Sequence, residues 1–548
     1  MPVPGTAKAV RQLPAALALI DGEHYPPVVR AALDRLAASH RIVAALFLGG
    51  AEKLRGEPGA GASSTPVSAG ATDVQAVARR ADVAQAPAGR AQCADEAGCG
   101  PVDGAVATTD RSGGAADGVR ARLAGEYGVP LLFLDELVGH AGMRESSPES
   151  FLPLALQEAL RRSGAAEVVD LSDEPVLGYR ERFLLMSAAA AAGVAYVGAD
   201  FELRPQSRAG VAVAPSLAVI GTGKRVGKTA ISGAMARSLA DAGERVVVVA
   251  MGRGGPPDPE VVLGACGVGP ADLLAASRLG RHAASDHFED AALAGVTTIG
   301  CRRCGGGLAG AAFDSNVPQA LALLDDLEPS VVLFEGSGSV VPPVRASATI
   351  CVASAAQPAD YVTGYLGTFR LLASDLLIVT MCEPPFASAA RVRRLLADIA
   401  RARPDLPVVP TVLRPRPLAD VRGRRVAYFT TAAPRALPAL TAHLAQVYGA
   451  EVVVACADLA RRQALAKAAV RAQAEADVFL TEIKAAAIDV VAEAATGAHK
   501  ELVFCDNDVR PLPGHDLAAA FDDLVDLAKH RYAVSGARHR EGRPRHGA

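Results

Sequence analysis

One segment constrains this chain more than any other: an apolar run that breaks into a glycine turn ending in Gly-Lys-Thr, Val219 Ile220 Gly221 Thr222 Gly223 Lys224 Arg225 Val226 Gly227 Lys228 Thr229 Ala230. Leu217 to Ile220 read as a buried strand and Ala230 to Ala240 as a helix, the strand, turn and helix context that a phosphate-binding loop requires. In such a turn the backbone N–H groups and the helix N-terminus cradle phosphate oxygens. Lys228 then neutralises the β and γ oxygens, and the Thr229 hydroxyl ligates Mg²⁺. The expectation is an ATP-using α/β enzyme whose nucleotide is held by Gly221, Thr222, Gly223, Lys224, Arg225, Val226, Gly227, Lys228 and Thr229. The spacing departs from the common pattern, because Thr222 stands five before Gly227 and the extra glycine lies one place earlier, at Gly221.

Composition sharpens that reading. Only eight of the 56 basic residues are lysine, and two of the eight are Lys224 and Lys228. A solvated surface would accept arginine equally well, whereas a compact ammonium reaching into a phosphate turn is a distinct requirement. A net charge of -3 gives no reason to expect nucleic acid or an anionic membrane as partner. No apolar run approaches the ~18 residues of a membrane span. Nine cysteines form no even framework, and Met1 to Leu13 lack an apolar leader, so a cytoplasmic setting is expected.

At 548 residues the chain exceeds one core. Strands alternating with helices predict a doubly wound, mostly parallel central sheet in a phosphate-loop domain at 209–410. An N-terminal α/β domain is expected at 1–208 and a C-terminal one at 411–534, after a Pro- and Arg-rich joint at 404–417. Residues 56–117, rich in Gly, Ala, Ser and Asp, read as a flexible insertion, and 535–548 as a disordered basic tail.

Further residues could carry chemistry. The strand Val331 to Phe334 ends in Glu335 and a glycine turn, and an acid there orders Mg²⁺ in phosphate-loop enzymes. Lys228, Lys224 and Glu335 are therefore the candidate catalytic residues, with Thr229 and Glu335 as metal ligands. Arg253, Arg302 and Arg303 follow predicted strands in glycine-rich surroundings, where guanidinium groups suit the phosphates of an anionic substrate. Cys301 and Cys304 admit three readings: part of an anion-binding glycine turn, buried structural thiols, or metal or redox ligands, the first being preferred because two arginines stand between them. Asp21, Glu23 and His24 could orient a ligand or simply shape a loop. Lys484 reads as part of an exposed helix face, and Cys505 Asp506 Asn507 Asp508 as a strand end that binds a cation or merely stops.

Gly221 Thr222 through Val226 Gly227 Lys228 Thr229, with Glu335 Gly336 Ser337 Gly338, resembles dethiobiotin synthetase and its relatives. Loop families of that kind pair across the nucleotide face and carry a signature lysine. Lys224 is similar but lies four residues before Lys228 instead of five, and the resemblance implies a homodimer. Over most of the chain, Ile20 Asp21 Gly22 Glu23 His24 Tyr25, the phosphate loop, Met251 Gly252 Arg253 Gly254 Gly255 Pro256, Gly300 Cys301 Arg302 Arg303 Cys304 Gly305 Gly306 Gly307, and Thr481 Glu482 Ile483 Lys484 Ala485 resemble the cyclic 2,3-diphosphoglycerate synthetase family. That resemblance implies ATP-driven closure of an intramolecular phosphoanhydride, with ATP and Mg²⁺ required and K⁺ as an accompanying cation. The rival readings are a dethiobiotin-synthetase-like kinase or ligase on another small anion, and a nucleotide-switched binding protein.

Overall fold

Runs of apolar residues bounded by polar loops form strands buried on both faces, the pattern of a parallel sheet covered by helices. In the computed structural model, which describes residues 13–49, 113–138, 148–211, 213–264, 267–485 and 487–541, such strands build two units, Met1–Arg204 and Pro205–Ala548. Most of the insertion expected at 56–117 and the end of the tail lie outside the described residues. The last helix, Leu517–Glu541, runs through the start of the segment expected to be disordered.

In the first unit, strands β1 (Ala15–Ile20), β2 (Arg41–Phe47), β3 (Leu131–Phe133), β4 (Glu167–Asp170), β5 (Ala195–Val197) and β6 (Glu202–Leu203) form one sheet. Its order is β3-β2-β1-β4-β5-β6, parallel except for β6. The order turns back between β1 and β4, the topological position at which doubly wound sheets usually hold a ligand.

In the second unit, β7 (Ala209–Val211) pairs with β14 (Val344–Arg345) in a small ribbon. The main sheet contains β8 (Ser216–Gly221), β9 (Val246–Gly252), β10 (Glu260–Val262), β11 (Thr297–Cys304), β12 (Asp314–Ser315), β13 (Val331–Glu335), β15 (Ala348–Ser354), β16 (Leu376–Thr380), β17 (Val408–Pro417), β18 (Arg425–Phe429), β19 (Glu451–Cys456), β20 (Val478–Thr481) and β21 (Glu501–Pro511). It runs β10-β11-β9-β13-β8-β15-β16-β17-β21-β20-β18-β19, with β12 beside β11. The mostly parallel, doubly wound core expected around the phosphate loop is present. The domain boundary expected at 410/411 falls within β17.

The segment read as a Pro- and Arg-rich joint is thus a strand that ties two parallel sheets together. Residues 408–410 pair with β16 on one side, and 411–417 pair antiparallel with β21 on the other. Each half of β17 therefore has a free edge, which lets Pro410, Pro415 and Pro417 sit in the strand without losing a ladder bond. The antiparallel step has a large consequence. β21, β20, β18 and β19 are parallel to one another but run against β8 and its neighbours. The C-terminal edges of the two parallel sets consequently face each other across a cleft. A shared core closes its side, with Phe288 and Leu293 packed among Phe429, Phe479 and Phe504.

Candidate active site on the phosphate-loop face

β8 delivers the chain to a tight turn, and the helix Lys228–Asp241 leaves it with Gly227 as N-cap at φ +95. Only glycine holds that conformation without strain. The displaced glycine also has a physical role: a Cβ on Gly221 would lie 2.9 Å from Lys228 Cδ, so Gly221 makes room for the lysine stem. The turn is braced from neighbouring strands. Thr222 Oγ1 donates to Gln357 Oε1 at 2.6 Å, and Thr380 Oγ1 donates to the Val226 carbonyl at 2.7 Å. Lys228 is buried and donates to the Gly223 carbonyl at 3.2 Å. Burial pushes its ammonium down from the ordinary range, against the opposing pull of Glu335 and Asp286.

Glu335 closes β13, which lies between β8 and β9, and the residue is 2% exposed. Burial pushes its carboxyl up to about 7, reinforced by the charge of Asp286 and opposed by Asp290, Lys228 and Thr229. Asp290, held well above the usual carboxylate range by burial, carries the hydrogen bond to Glu335. Among the described residues, Glu335 Oε2 and Asp290 Oδ2 are buried with no hydrogen-bond partner. An unsatisfied carboxylate oxygen beside the Thr229 hydroxyl fits Mg²⁺, which takes one or two protein ligands and completes its shell with phosphate and water. The described residues hold no group of three or more His, Cys, Asp or Glu arranged as a metal cage.

The acids Asp286, Glu289 and Asp290 on the helix Asp286–Ala294 went unassigned from sequence, although their i, i+3, i+4 spacing puts all three on one helix face and could have revealed them. They face the phosphate loop from the side. Burial pushes Glu289 up to about 8 despite Lys484 Nζ at 3.2 Å. Lys484 was expected on an exposed helix face. It instead stands in the loop after β20, because the inverted strands aim that loop at the phosphate-loop edge.

The expected cations divide. Lys224 is exposed at the loop mouth, lowered by partial burial and by the nearby charges of Arg253 and Arg225. Arg303 is lowered by burial and by Arg253, and its guanidinium donates to the Ser337 carbonyl at 3.1 Å and to Ser337 Oγ at 3.2 Å. Lys224, Arg253 and Arg303 thus form a mutually repelling cationic group, the electrostatic signature of an anion site. Arg302 is not brought into it, because successive strand residues face opposite sides. Its Nε lies 4.0 Å from Asp314.

The same alternation settles the cysteine pair. Cys301 to Cys304 lie on β11 and not in the glycine turn, which begins at Gly305. Cys301 is buried, its thiol pushed up to about 12 by burial, while Cys304 is exposed on the other face. The structure leaves the two on opposite sides of a strand, unsuited to one metal or one disulfide. Cys505 to Asp508 do not end their strand either, since β21 continues to Pro511. Asp506 pairs with Arg237 at 2.6 Å and Arg416 at 2.8 Å.

In the first unit, Asp21 is fully buried at the end of β1. Its Oδ1 accepts from the backbone N–H of Glu23 at 2.9 Å and of His24 at 3.2 Å, and lies 2.9 Å from His24 Nδ1. Its Oδ2 accepts from the Asp173 N–H at 2.7 Å, which ties the β1 loop to the β4 loop.

Comparison with known proteins agrees with this geometry. Family profiles match over three stretches: cyclic 2,3-diphosphoglycerate synthetase, P-loop domain, at residues 216–412; the C-terminal domain at 417–508; and the N-terminal domain at 15–85 and 135–204. The cyclic 2,3-diphosphoglycerate synthetase of Rubrobacter xylanophilus is 44% identical over 495 residues, covering 90% of this chain and 93% of that protein. That of Methanothermobacter thermautotrophicus is 35% identical over 494 residues, covering 90% and 91%. The protein of the same name from Thermococcus gammatolerans is 37% identical over 506 residues, covering 92% and 95%.

Proposed function

This chain belongs to the cyclic 2,3-diphosphoglycerate synthetase family, and from that premise we propose that its phosphate-loop face uses ATP to close an intramolecular phosphoanhydride in 2,3-diphosphoglycerate, releasing ADP and phosphate. The observation that carries the reading is the pairing of the phosphate loop and its buried Lys228 with a second cationic group, Lys224 from the mouth of that loop with Arg253 and Arg303, at the same strand edge. One set of cations suits the nucleotide and the other a second polyanion. A carboxylate substrate with a single charge would not need the second set, and a nucleotide switch would not need it at all.

In the balanced reaction, an oxygen of one substrate phosphate attacks the γ-phosphorus and ADP leaves. An oxygen of the other substrate phosphate then attacks the activated phosphorus, and inorganic phosphate leaves. Lys228 holds charge on the phosphoryl being transferred, and the loop N–H groups fix the leaving ADP. Thr229 and Glu335 would hold Mg²⁺, which supplies charge neutralisation on the β and γ oxygens. Lys224, Arg253 and Arg303 draw the two substrate phosphates together against their repulsion, so positioning and neutralisation provide most of the rate. Facing strand edges keep bulk water from competing for the activated phosphate.

We also propose that the protein is a cytoplasmic homodimer and that K⁺ accompanies Mg²⁺ in the reaction. No described helix is long and apolar enough to cross a membrane.

Phosphorus NMR of protein with ATP, Mg²⁺, K⁺ and 2,3-diphosphoglycerate tests the function. A new phosphoanhydride signal beside ADP and phosphate, absent in Lys228→Ala, is the expected result. ADP formed at a rate indifferent to diphosphoglycerate refutes the substrate.

A further inference from the structure

The loop after β20 is specified more tightly than a connection needs to be. Glu482 anchors its base: the buried carboxylate accepts from Thr430 Oγ1 at 2.8 Å, Thr431 N–H at 2.9 Å and Thr431 Oγ1 at 2.8 Å. Ala485 holds a left-handed φ of +51, a strained conformation for a residue with a side chain. A π-helix, Ala487–Ala492, follows directly, and such turns concentrate at functional sites. Between anchor and kink stands Lys484, one of the eight lysines in an arginine-dominated chain.

The antiparallel step at β17 and β21 turns this loop toward the phosphate loop, and Lys484 reaches across to Glu289 on the helix beside it. Asp286 lies in the field of both Lys484 and Lys228. A third of the Lys484 side chain remains accessible, so the ion pair does not seal it off.

We propose that Lys484 is the second lysine of the phosphoryl site, contributed by the inverted sheet, and that it contacts phosphate oxygens from the side opposite Lys228. It pairs with Glu289 at 3.2 Å. A compact ammonium can leave one carboxylate and serve a phosphate without the fixed fork of a guanidinium, which accounts for lysine where the chain otherwise writes arginine. Glu289, Glu482 and Asp286 pull the Lys484 ammonium up against the burial that would lower it. The inference rests on the proposed reaction and extends it: the transferred phosphoryl is clamped between cations from two oppositely directed sheets.

Four variants test it: Lys484→Met, Lys484→Arg, Glu289→Gln, and the double variant Glu289→Gln with Lys484→Met, which removes both partners of the ion pair. The expected result is a loss of cyclic product of about 100-fold in Lys484→Met and in the double variant. Nucleotide affinity, read by a fluorescent ADP analogue, should stay within about threefold, and Lys484→Arg should recover only part of the rate. A double variant that keeps its Tm and the rate of Glu289→Gln alone overturns the proposal. So does Lys484→Arg at the full wild-type rate beside a Lys484→Met that does not fold. Wild-type protein that forms no cyclic product refutes the substrate alone. Lys484 is then judged by ATP turnover, where a Lys484→Met rate equal to wild type overturns its role and a large loss supports it.

Discussion

Two buried acids end parallel strands in this molecule, Asp21 in the first unit and Glu335 in the second, and they are used in opposite ways. Every oxygen of Asp21 is engaged by its own surroundings, which fix the β1 and β4 loops to each other. Glu335 has an unpaired buried oxygen, and burial together with the charge of Asp286 raises its proton affinity. Burying a polar group without a partner costs free energy, and the cost is recovered when a ligand supplies the missing charge. The first acid is satisfied within the fold, whereas the second keeps an unmet demand, which the proposed reaction assigns to a cation. Topological position alone does not identify a site; the state of its hydrogen bonds does.

The largest expected effect comes from the lysine that faces Glu335. Lys228→Ala should lower cyclic-product formation by about 10³-fold, read by phosphorus NMR, because it removes the main cation from the transferring phosphoryl. Retention of activity within tenfold would break the assignment of the second unit as the reacting one.

Neutralising the two acids should then separate them by sign. Asp21→Ala orphans the N–H groups of Glu23, His24 and Asp173 and should cost about 3 kcal/mol in denaturant unfolding. Glu335→Gln should lower the rate by about 100-fold yet raise the Tm at pH 8, since it removes a buried charge that has no full partner without nucleotide. Equal destabilisation by both would erase the contrast.

Stability should follow pH through the second unit's carboxylates. Glu335 at about 7 and Glu289 at about 8 lie above their ordinary 4.5. Their protonated forms therefore favour the fold, and that contribution is full below about 4.5 and lost as pH rises through 7 to 8. His287 is lowered by burial from 6.5 to about 4, so its contribution is present above 6.5 and lost as pH falls toward 4. The two carboxyls outweigh the one histidine, so calorimetry on the protein without nucleotide should give a Tm that falls as pH rises from about 4.5 to 8, most steeply near pH 7. Glu289→Gln should flatten the alkaline limb, and a Tm rising steadily to pH 9 would contradict the assignment.

Much of this was legible in the sequence because it is local. The phosphate loop, the strand ending in Glu335 and most parallel strands announce themselves through glycine placement and apolar runs. What was hidden depends on long-range pairing. β17 was masked by its prolines, which are tolerated because each half of the strand pairs on one side only. Once β17 was missed, so was the reversal that sends Lys484 toward Lys228. Asp286, Glu289 and Asp290 carried a readable helical spacing, but their burial beside the phosphate loop follows from packing of their helix against β9, β11 and the helix Lys228–Asp241, with Phe288 and Leu293 set among the strands after β17.

The smallest effect is also the closest comparison, between two adjacent arginines that sequence reasoning treated alike. Strand alternation puts Arg303 with Lys224 and Arg253, and its buried Nε has no partner among the described residues. Arg302 is exposed near Asp314 on the other face. Loss of one charge-assisted phosphate contact costs about 1.5 kcal/mol, so Arg303→Ala should raise the KM for 2,3-diphosphoglycerate roughly tenfold with kcat little changed. Arg302→Ala should leave KM within about twofold. Steady-state kinetics at saturating ATP reads both, and the comparison is internal, since the variants lose the same side chain at neighbouring positions of one strand. A reversed order would mean that the substrate approaches β11 from the Arg302 face, and the cationic group at the loop mouth would then belong to the nucleotide alone.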